Sequence, residues 1–499
     1  MTKHMTGTRG PGSRERASSE DSAAKTCDGS SSACWRRPGR TCLTGRQRLI
    51  AFLLLATGFM LSVDFSILNV ALPQVGAAVG LELSTLPWVA TAYALPAAGF
   101  TLLFGRIADL LGRRRLFLTG IALIALSSVV GGLATSPALL LVARALQGFA
   151  TAIATPASLS LLITSFSDET QRARVLGLNG ALLSGGFTVG ALVGGTLVGA
   201  LGWRWAFLIN VPVAVLILIV TPFLVRASSA PAGVALDVPG AVTVTLGLLA
   251  FAFGITNKNP YALIGGLSLL VMFWRIELAA KAPLVALSIL SRPTVKWGNI
   301  AGLIVFTMEP ALIYLMTLYL QDVLHFSPLI TGLIFGAPGL AAVAAGVVAS
   351  RFIARYGTRN VLTVGLLAQA AFTAPLILLG TGVGWLGLLM PALFLGFFGH
   401  VTAIVSFMVT ATTGLPDTEQ GLATGLASMT QQIGITIGIP ILGAIAASQA
   451  SLLSGIHLAL TVNVLLTVSA VALIWTGLRP RADLAAADER LLQRVASRA

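Results

Sequence analysis

Charge is scarce in this 499-residue chain: Asp, Glu, Lys and Arg make up 10% of it, against 56% hydrophobic residues and a mean hydropathy of +0.89. A soluble domain carries about 25% charged residues, so lipid rather than water is the main solvent here. Cysteine is rarer still. Cys27, Cys34 and Cys42 are the three, and all precede the first long apolar run. They offer no disulfide framework and have no Cys or His partners at zinc spacing, so they are expected to be reduced and cytosolic, and no metal or other cofactor is expected. No GxxxxGK[ST] occurs, which argues against ATP hydrolysis by this chain. His-Glu-x-x-His and GxSxG are missing too, and nothing resembles an enzyme's nucleophile and base.

What is present is positive charge, +14 net, in a particular distribution. Ten of the 32 Lys and Arg precede Leu49, and most others lie in short links between apolar runs. Loops facing anionic lipid have that pattern; a basic groove for nucleic acid does not. Residues 1–45, rich in Ser, Gly, Thr and Arg, are expected to form a disordered basic cytoplasmic tail. A cleaved signal peptide does not fit, because the apolar run begins near residue 49 and is too long for an h-region.

From Leu49 onward the hydropathy pattern predicts an all-α polytopic membrane protein with fourteen spans: 49–72, 85–104, 115–134, 138–162, 175–200, 204–225, 237–256, 260–279, 298–320, 328–350, 360–380, 384–408, 420–447 and 456–477. An even count puts both termini on one side. Links on that side hold fourteen Lys and Arg, including Arg113, Arg114, Arg115 and Arg351; links on the other hold Arg204 and Lys258. The positive-inside rule then makes both termini cytoplasmic, with a second tail at 481–499.

Three ionisable residues inside spans carry the chemistry. Asp64 interrupts the first run, at a cost of at least about 2.5–3.5 kcal/mol on insertion scales. Arg144 lies in the fourth span. Counted at 1.5 Å per residue, Asp64 and Arg144 sit roughly 12 and 9 Å below the same surface, so they can pair. Gln147, three residues from Arg144, shares its face. Glu309 is the second buried acid and precedes Pro310, which should kink the ninth span. Desolvation favours a protonated acid and a nearby cation favours the charged one, so an acid held between the two can load and release protons. The other reading of Asp64 is a paired structural residue. His400, inside the twelfth span, reads first as a hydrogen-bonded structural histidine and second as a titrating one. His325 and His457, at span ends, read as solvated.

Small residues are patterned as well. Gly186, Gly190 and Gly194 recur every fourth residue in the fifth span, extended by Gly195 and Gly199, with a shorter pair at Gly434 and Gly438. Such a stripe lets helix backbones approach closely, either as fixed packing or as a surface for rocking. The link 105–117, GRIADLLGRRRLF, reads as a short charged hairpin or a topology-setting loop, with Gly105 and Gly112 turning, Asp109 capping and Arg113 anchoring to lipid.

These segments resemble the major facilitator superfamily. The link is similar to its loop motif G-x-L-A-D-R-x-G-R-K-x-x-L, with Leu110 standing where a basic residue is usual. LVARALQGFATA, ending at Ala152, resembles its fourth-helix motif around Arg144, Gln147 and Gly148. Gly186–Leu197 resembles the antiporter motif G-x-x-x-G-P-x-x-G-G, with Ala191 in place of the proline. VDFSILNVALP (63–73) resembles the first-helix motif of the fourteen-span drug:proton antiporter branch, as do GWRWAFLINVP (202–212) and LYLQDVLHFSPLITGLIFGAPG (318–339).

The resemblance implies two six-helix bundles, 46–226 and 293–480, joined by an inserted pair and linker at 227–292. It implies Asp64, Glu309 and Arg144 as proton-coupling residues, and Gly105, Asp109, Gly112, Arg113, Gly186, Gly190, Gly194 and Gly195 as conformational ones. A central cavity would be lined from among Phe65, Asn69, Tyr93, Gln147, Phe306, Tyr314, Gln431 and Gln432. The expected function is proton-coupled efflux of hydrophobic or cationic drug-like compounds across the plasma membrane by a monomer, with no nucleic acid partner. The alternative is a dedicated exporter of one metabolite or self-made antibiotic. A membrane-embedded enzyme or a receptor is the remaining class, and the chain shows no catalytic cluster or soluble domain for it.

Overall fold

The computed structural model describes residues 44–82, 84–166, 169–225, 237–280, 287–412, 415 and 417–478. The three cysteines, nearly all of the N-terminal tail and the C-terminal tail lie outside these residues.

Lipid offers no partner for backbone N–H and C=O groups, so apolar runs of this length close their hydrogen bonds internally as helices. Fourteen long helices, and no strand, are found among the described residues. They are α1 (Gly45–Val79), α2 (Pro87–Leu111), α3 (Arg113–Gly132), α4 (Pro137–Ser165), α5 (Glu169–Leu201), α6 (Trp205–Leu224) and α7 (Val238–Thr256), then α8 (Pro260–Ala279), α9 (Pro293–Val323), α10 (Pro328–Tyr356), α11 (Thr358–Leu378), α12 (Val383–Thr412), α13 (Asp417–Ala446) and α14 (Leu452–Gly477). Each expected span falls on one of them. Twelve are long and apolar enough to cross a membrane; α2 and α5, some of whose side chains are not described, stand outside that number.

Local sequence sets the ends. Ser136 and Ser327 cap α4 and α10 through the N–H groups of Leu139 and Ile330, each with proline at the first helical position, where its missing N–H costs nothing. The sharp reversals between α2 and α3 and between α10 and α11 fall on Gly112 (φ +93°) and Gly357 (φ +78°), in a backbone region that a Cβ disfavours. Helix α9 continues through Pro310 and widens into a π turn only at 319–323.

Packing repeats with an offset of eight helices. In the first set α1 packs on α4, α5 and α6, α2 on α4, and α3 on α4 and α6; in the second α9 packs on α12, α13 and α14, α10 on α12, and α11 on α12 and α14. The two sets meet through α5 against α10 and α2 against α13, contacts that the same offset exchanges. Odd-numbered helices run from one face, called terminal here because α1 begins and α14 ends there, to the distal face. The meeting points lie toward the distal face. A Cβ on Gly195 of α5 would fall 2.6 Å from the Pro328 carbonyl oxygen and 2.9 Å from the Gly332 Cα of α10. The Gln321 amide donates to the Val70 carbonyl (2.8 Å), and the Thr436 hydroxyl to that of Ala94 (3.1 Å).

Helix α7 lies against both α2 and α13, sharing an apolar cluster that includes Leu95, Val244, Leu248 and Met429. Helix α8 packs on α7.

Candidate functional site

The first buried acid stands at a junction of five helices, α1, α2, α3, α4 and α6, with α5 packed behind α1. Close approach of their backbones is built in. On α4, Gly148 faces the Tyr93 carbonyl of α2 with no room for a Cβ, and Gly120 of α3 abuts the backbone of Ala154. On α5, Gly186 packs against Phe59 and Ser62, Gly190 against Val63 and Ser66, and Gly194 against Ile67, which seats α1 around Asp64. The every-fourth-residue stripe therefore clamps α1 inside its own helix set, and Gly195 and Gly199 turn to α10.

Asp64 is 3% exposed and Arg144 1%. The Arg144 Nη1 donates to Asp64 Oδ2 at 3.4 Å and to Gln147 Oε1 at 2.7 Å, and its Nε donates to the Val89 carbonyl at 3.1 Å. The guanidinium also lies 4.3 Å from the centre of the Tyr93 ring. Asp64 Oδ1 accepts from Gln147 Nε2 (3.4 Å) and from Asn210 Nδ2 of α6. Ser128 of α3 accepts from Gln147 Nε2 at 3.0 Å and from Asn210 at 3.4 Å. A charge pair this deep repays its desolvation only when further hydrogen bonds satisfy both ions, and here they do.

The second acid has a cluster of its own. Glu309 of α9, its side chain 12% exposed, places Oε2 3.8 Å from Nε2 of the buried His400 on α12. His400 Nδ1 faces Gln369 Oε1 of α11 at 3.4 Å. Asn463 of α14 donates to the carbonyl of Met308, the residue before the acid, at 3.0 Å. On α13, Gly434 abuts Phe306, and Gly438 faces the Thr307 carbonyl with no room for a Cβ.

The other expected site residues divide. Tyr93 lies beside Arg144, donates or accepts with Thr151 (3.1 Å), and has its ring 6.3 Å from that of Phe65. Asn69 donates to the Phe65 carbonyl of its own helix at 3.0 Å and is buried. Phe306 packs edge-on against Phe407 at 6.0 Å inside an apolar cluster, and Tyr314 is fully buried near Gly443 of α13. Gln431 and Gln432 are half-buried. Gly112 makes the α2–α3 reversal, Gly105 has only Pro156 of α4 within reach of an added Cβ, and Arg113 is half-buried. The side chain of Asp109 lies outside the described residues. Asn210, Ser128, Gln369 and Asn463 complete the two clusters, and nothing in the linear sequence singles them out as site residues. Their signal is only a hydrogen-bonding side chain inside an apolar run, with Asn210 lying in the 202–212 segment.

Comparison with known proteins follows the same lines. The Major Facilitator Superfamily model matches residues 54–439. The chain is 35% identical over 405 residues to the puromycin resistance protein pur8 of Streptomyces alboniger, covering 79% of this chain and 80% of that one. It is 33% identical over 426 residues to the cephamycin export protein CmcT of Amycolatopsis lactamdurans, covering 81% and 86%. Among solved structures, the human organic anion transporter MFSD10 (TETRAN) superposes with a TM-score of 0.60 at 17% identity, over 87% of this chain and all of the other.

Proposed function

The chain belongs to the Major Facilitator Superfamily, and from that premise we propose that it exports antibiotic-like, hydrophobic or cationic small molecules in exchange for protons. The observation that carries the reading is the Asp64–Arg144 pair at 3.4 Å, sealed inside one helix set and held by Gln147 and Asn210. An acid whose charge is balanced by a permanent cation changes the net charge of its site by one when it takes a proton. That makes the site a switch between two electrostatic states.

In this reading all fourteen helices span the plasma membrane, α2 and α5 included, and both termini are cytoplasmic. The chain acts as a monomer of two six-helix bundles, 46–226 and 293–480, with 227–292 inserted between them. The meeting of the bundles toward the distal face supports an inward-facing arrangement, and rocking about a midplane site gives alternating access. In this reading the half-buried Gln431 and Gln432 line the path, with Tyr93, Gln147, Asn69, Phe306 and Tyr314 supporting it from the packed interior. Each proton entering down 100 mV supplies about 2.3 kcal/mol, and each unit of pH gradient about 1.4 kcal/mol. A hundredfold substrate gradient costs about 2.8 kcal/mol, so one or two protons suffice without ATP.

The test is Asp64→Asn in energised vesicles. Drug-driven proton movement at the wild-type rate in that variant would falsify the coupling role.

A second reading, export of one dedicated metabolite, has its own support: both relatives named above carry the name of a single antibiotic or antibiotic class. A resistance profile of an efflux-deficient host, taken over a dye and antibiotic panel, separates the two. Protection against a single compound favours the dedicated exporter; protection across unrelated compounds favours the multidrug one.

A further inference from the structure

Set side by side, the two buried acids have equivalent surroundings. Asp64 on α1 is met by Arg144 from α4, and Asn210 on α6 bonds at the acid, with Ser128 on α3 behind them. Glu309 on α9 is met by His400 from α12, and Asn463 on α14 bonds beside the acid, with Gln369 on α11 behind the histidine. Every contributing helix is offset by eight, the same offset that relates the packing of the two sets. His400 thus lies on the helix equivalent to the one that carries Arg144.

We propose that Glu309 and His400 form a second proton-handling site, in which histidine replaces arginine so that the cation of the pair can itself be discharged. Its role in transport rests on the antiport reading above.

The difference in chemistry is specific. Arginine does not lose its proton in proteins, so at the first site only the acid can change charge. Histidine is the side chain whose ordinary range spans physiological pH, so at the second site either partner can. Gln369 Oε1, an acceptor, faces Nδ1 at 3.4 Å, which favours the proton on that nitrogen, and in the proposed cycle Nε2, facing Glu309, is the one that exchanges. When the Nε2–H bond breaks, the electron pair stays on nitrogen and the proton passes to water reaching the partly exposed Glu309. Glu309 is left ionised without its partner, ready to receive either a new proton or a cationic group of the substrate. The two then compete for one site, which is what obligatory exchange requires.

No other described ionisable group can take this role. On α9 itself, Lys296 and Asp322 are each thirteen residues from Glu309, about 20 Å along the axis. On α10 and α11, Arg351, Arg355 and Arg359 sit at the terminal ends. On α14, His457 is near the distal end and bonded to the Leu379 carbonyl. The described side chains of α13 include no ionisable group. Asp64 of α1 is held by Arg144, and the ring of Tyr314 lies toward Gly443 of α13.

The experiment is solid-state NMR of the 15N-histidine-labelled full chain in lipid bilayers. The chain has four histidines, and His400 is identified by the signal lost in H400Q or, should that variant fail to insert, as the one ring left when His4, His325 and His457 are replaced by Gln. The expected result is conversion of the His400 ring between imidazolium and neutral forms within about pH 5 to 8. E309Q is expected to move that midpoint by about one pH unit or more. A His400 ring fixed in one form, or a midpoint indifferent to E309Q, overturns the proposal. The transport arm uses puromycin as the probe in energised vesicles. H400Q and H400R are both expected to lose puromycin-driven proton movement by about tenfold or more. Rescue by H400R, which keeps the cation but cannot discharge it, would make His400 structural and also overturns the proposal. A wild-type chain whose His400 titrates but which moves no protons with puromycin or any panel compound upholds the titratable pair and defeats the antiport reading instead.

Discussion

The side-chain amide of Asn210, on α6, donates to the Asp64 carboxylate on α1, the same group that Arg144 and Gln147 hold from α4. Removing this donor leaves Arg144 in place but takes away a hydrogen bond to a buried charged group, a loss of about 1–3 kcal/mol. Asn210→Leu is therefore expected to lower thermal stability in detergent and to slow efflux. Asn210→Asp should be worse, because it sets a second acid beside Asp64. Wild-type melting and efflux in Asn210→Leu would show that the contact carries no weight.

Arg144 should not tolerate lysine. Its guanidinium reaches a main-chain carbonyl, an amide oxygen and a carboxylate at once, and it also lies over the Tyr93 ring. An ammonium on a flexible stem keeps the charge but not that planar set of donors. Arg144→Lys is expected to reach the membrane and to lose transport by about tenfold or more, whereas Arg144→Ala strands a buried carboxylate at about 3–5 kcal/mol. Membrane yield and puromycin efflux, measured together, distinguish the two failures.

How much of this was legible beforehand depended on what kind of signal each residue carries. Asp64 and Arg144 announced themselves, because a charge in an apolar run has a cost and two opposite charges at one depth have a remedy. Asn210 and Ser128 did not. A lone amide or hydroxyl in a span commonly bonds its own helix, as Asn69 does, and sequence cannot say which ones reach across. Periodicity assigned Gly186, Gly190 and Gly194 to one face without revealing that the face meets α1. The resemblance implied Phe306 among the cavity-lining residues; aromatics also fill cores, and here it packs edge-on against Phe407 in an apolar cluster, a contact that sequence cannot foresee. His400 read as structural because nothing linear connects it to Glu309, 91 residues earlier, and the fold supplies that connection.

Glycines on the two sides of α5 should behave differently. Gly190 packs against Val63 and Ser66 within its own set, so Gly190→Leu is expected to loosen α1 and lower stability. Gly195 faces Pro328 and Gly332 across the sets, so Gly195→Leu should leave each set intact and disfavour their distal contact. The check is thermal melting for both variants, combined with labelling of single cysteines at the distal ends of α5 and α10 in a chain whose Cys27, Cys34 and Cys42 are replaced. Faster labelling in Gly195→Leu than in Gly190→Leu is the expected order, and the reverse order contradicts the assignment.

Helix α8 should be separable from transport. It leans on α7 through close backbone contacts: a Cβ on Gly254 would fall 2.5 Å from the Leu263 amide nitrogen, and one on Gly266 2.5 Å from that of Phe251. Its opposite side presents Ile264, Leu267, Val271 and Leu278, all exposed and suited to lipid. Helix α7 differs, because it shares buried apolar surface with α2 and α13, one helix from each set. Gly266→Leu is therefore expected to weaken the α7–α8 contact while preserving puromycin efflux at about half the wild-type rate or more, since the glycine contacts it disturbs are van der Waals packing at the edge of the helix sets. The same bulk placed on the other side of α7, as in Ala241→Leu, should disturb α2 and α13 and reduce efflux. A disulfide engineered between α7 and α8 reports the first effect as slower formation. If Gly266→Leu abolished efflux as fully as Ala241→Leu did, α8 would belong to the moving machinery rather than to its edge.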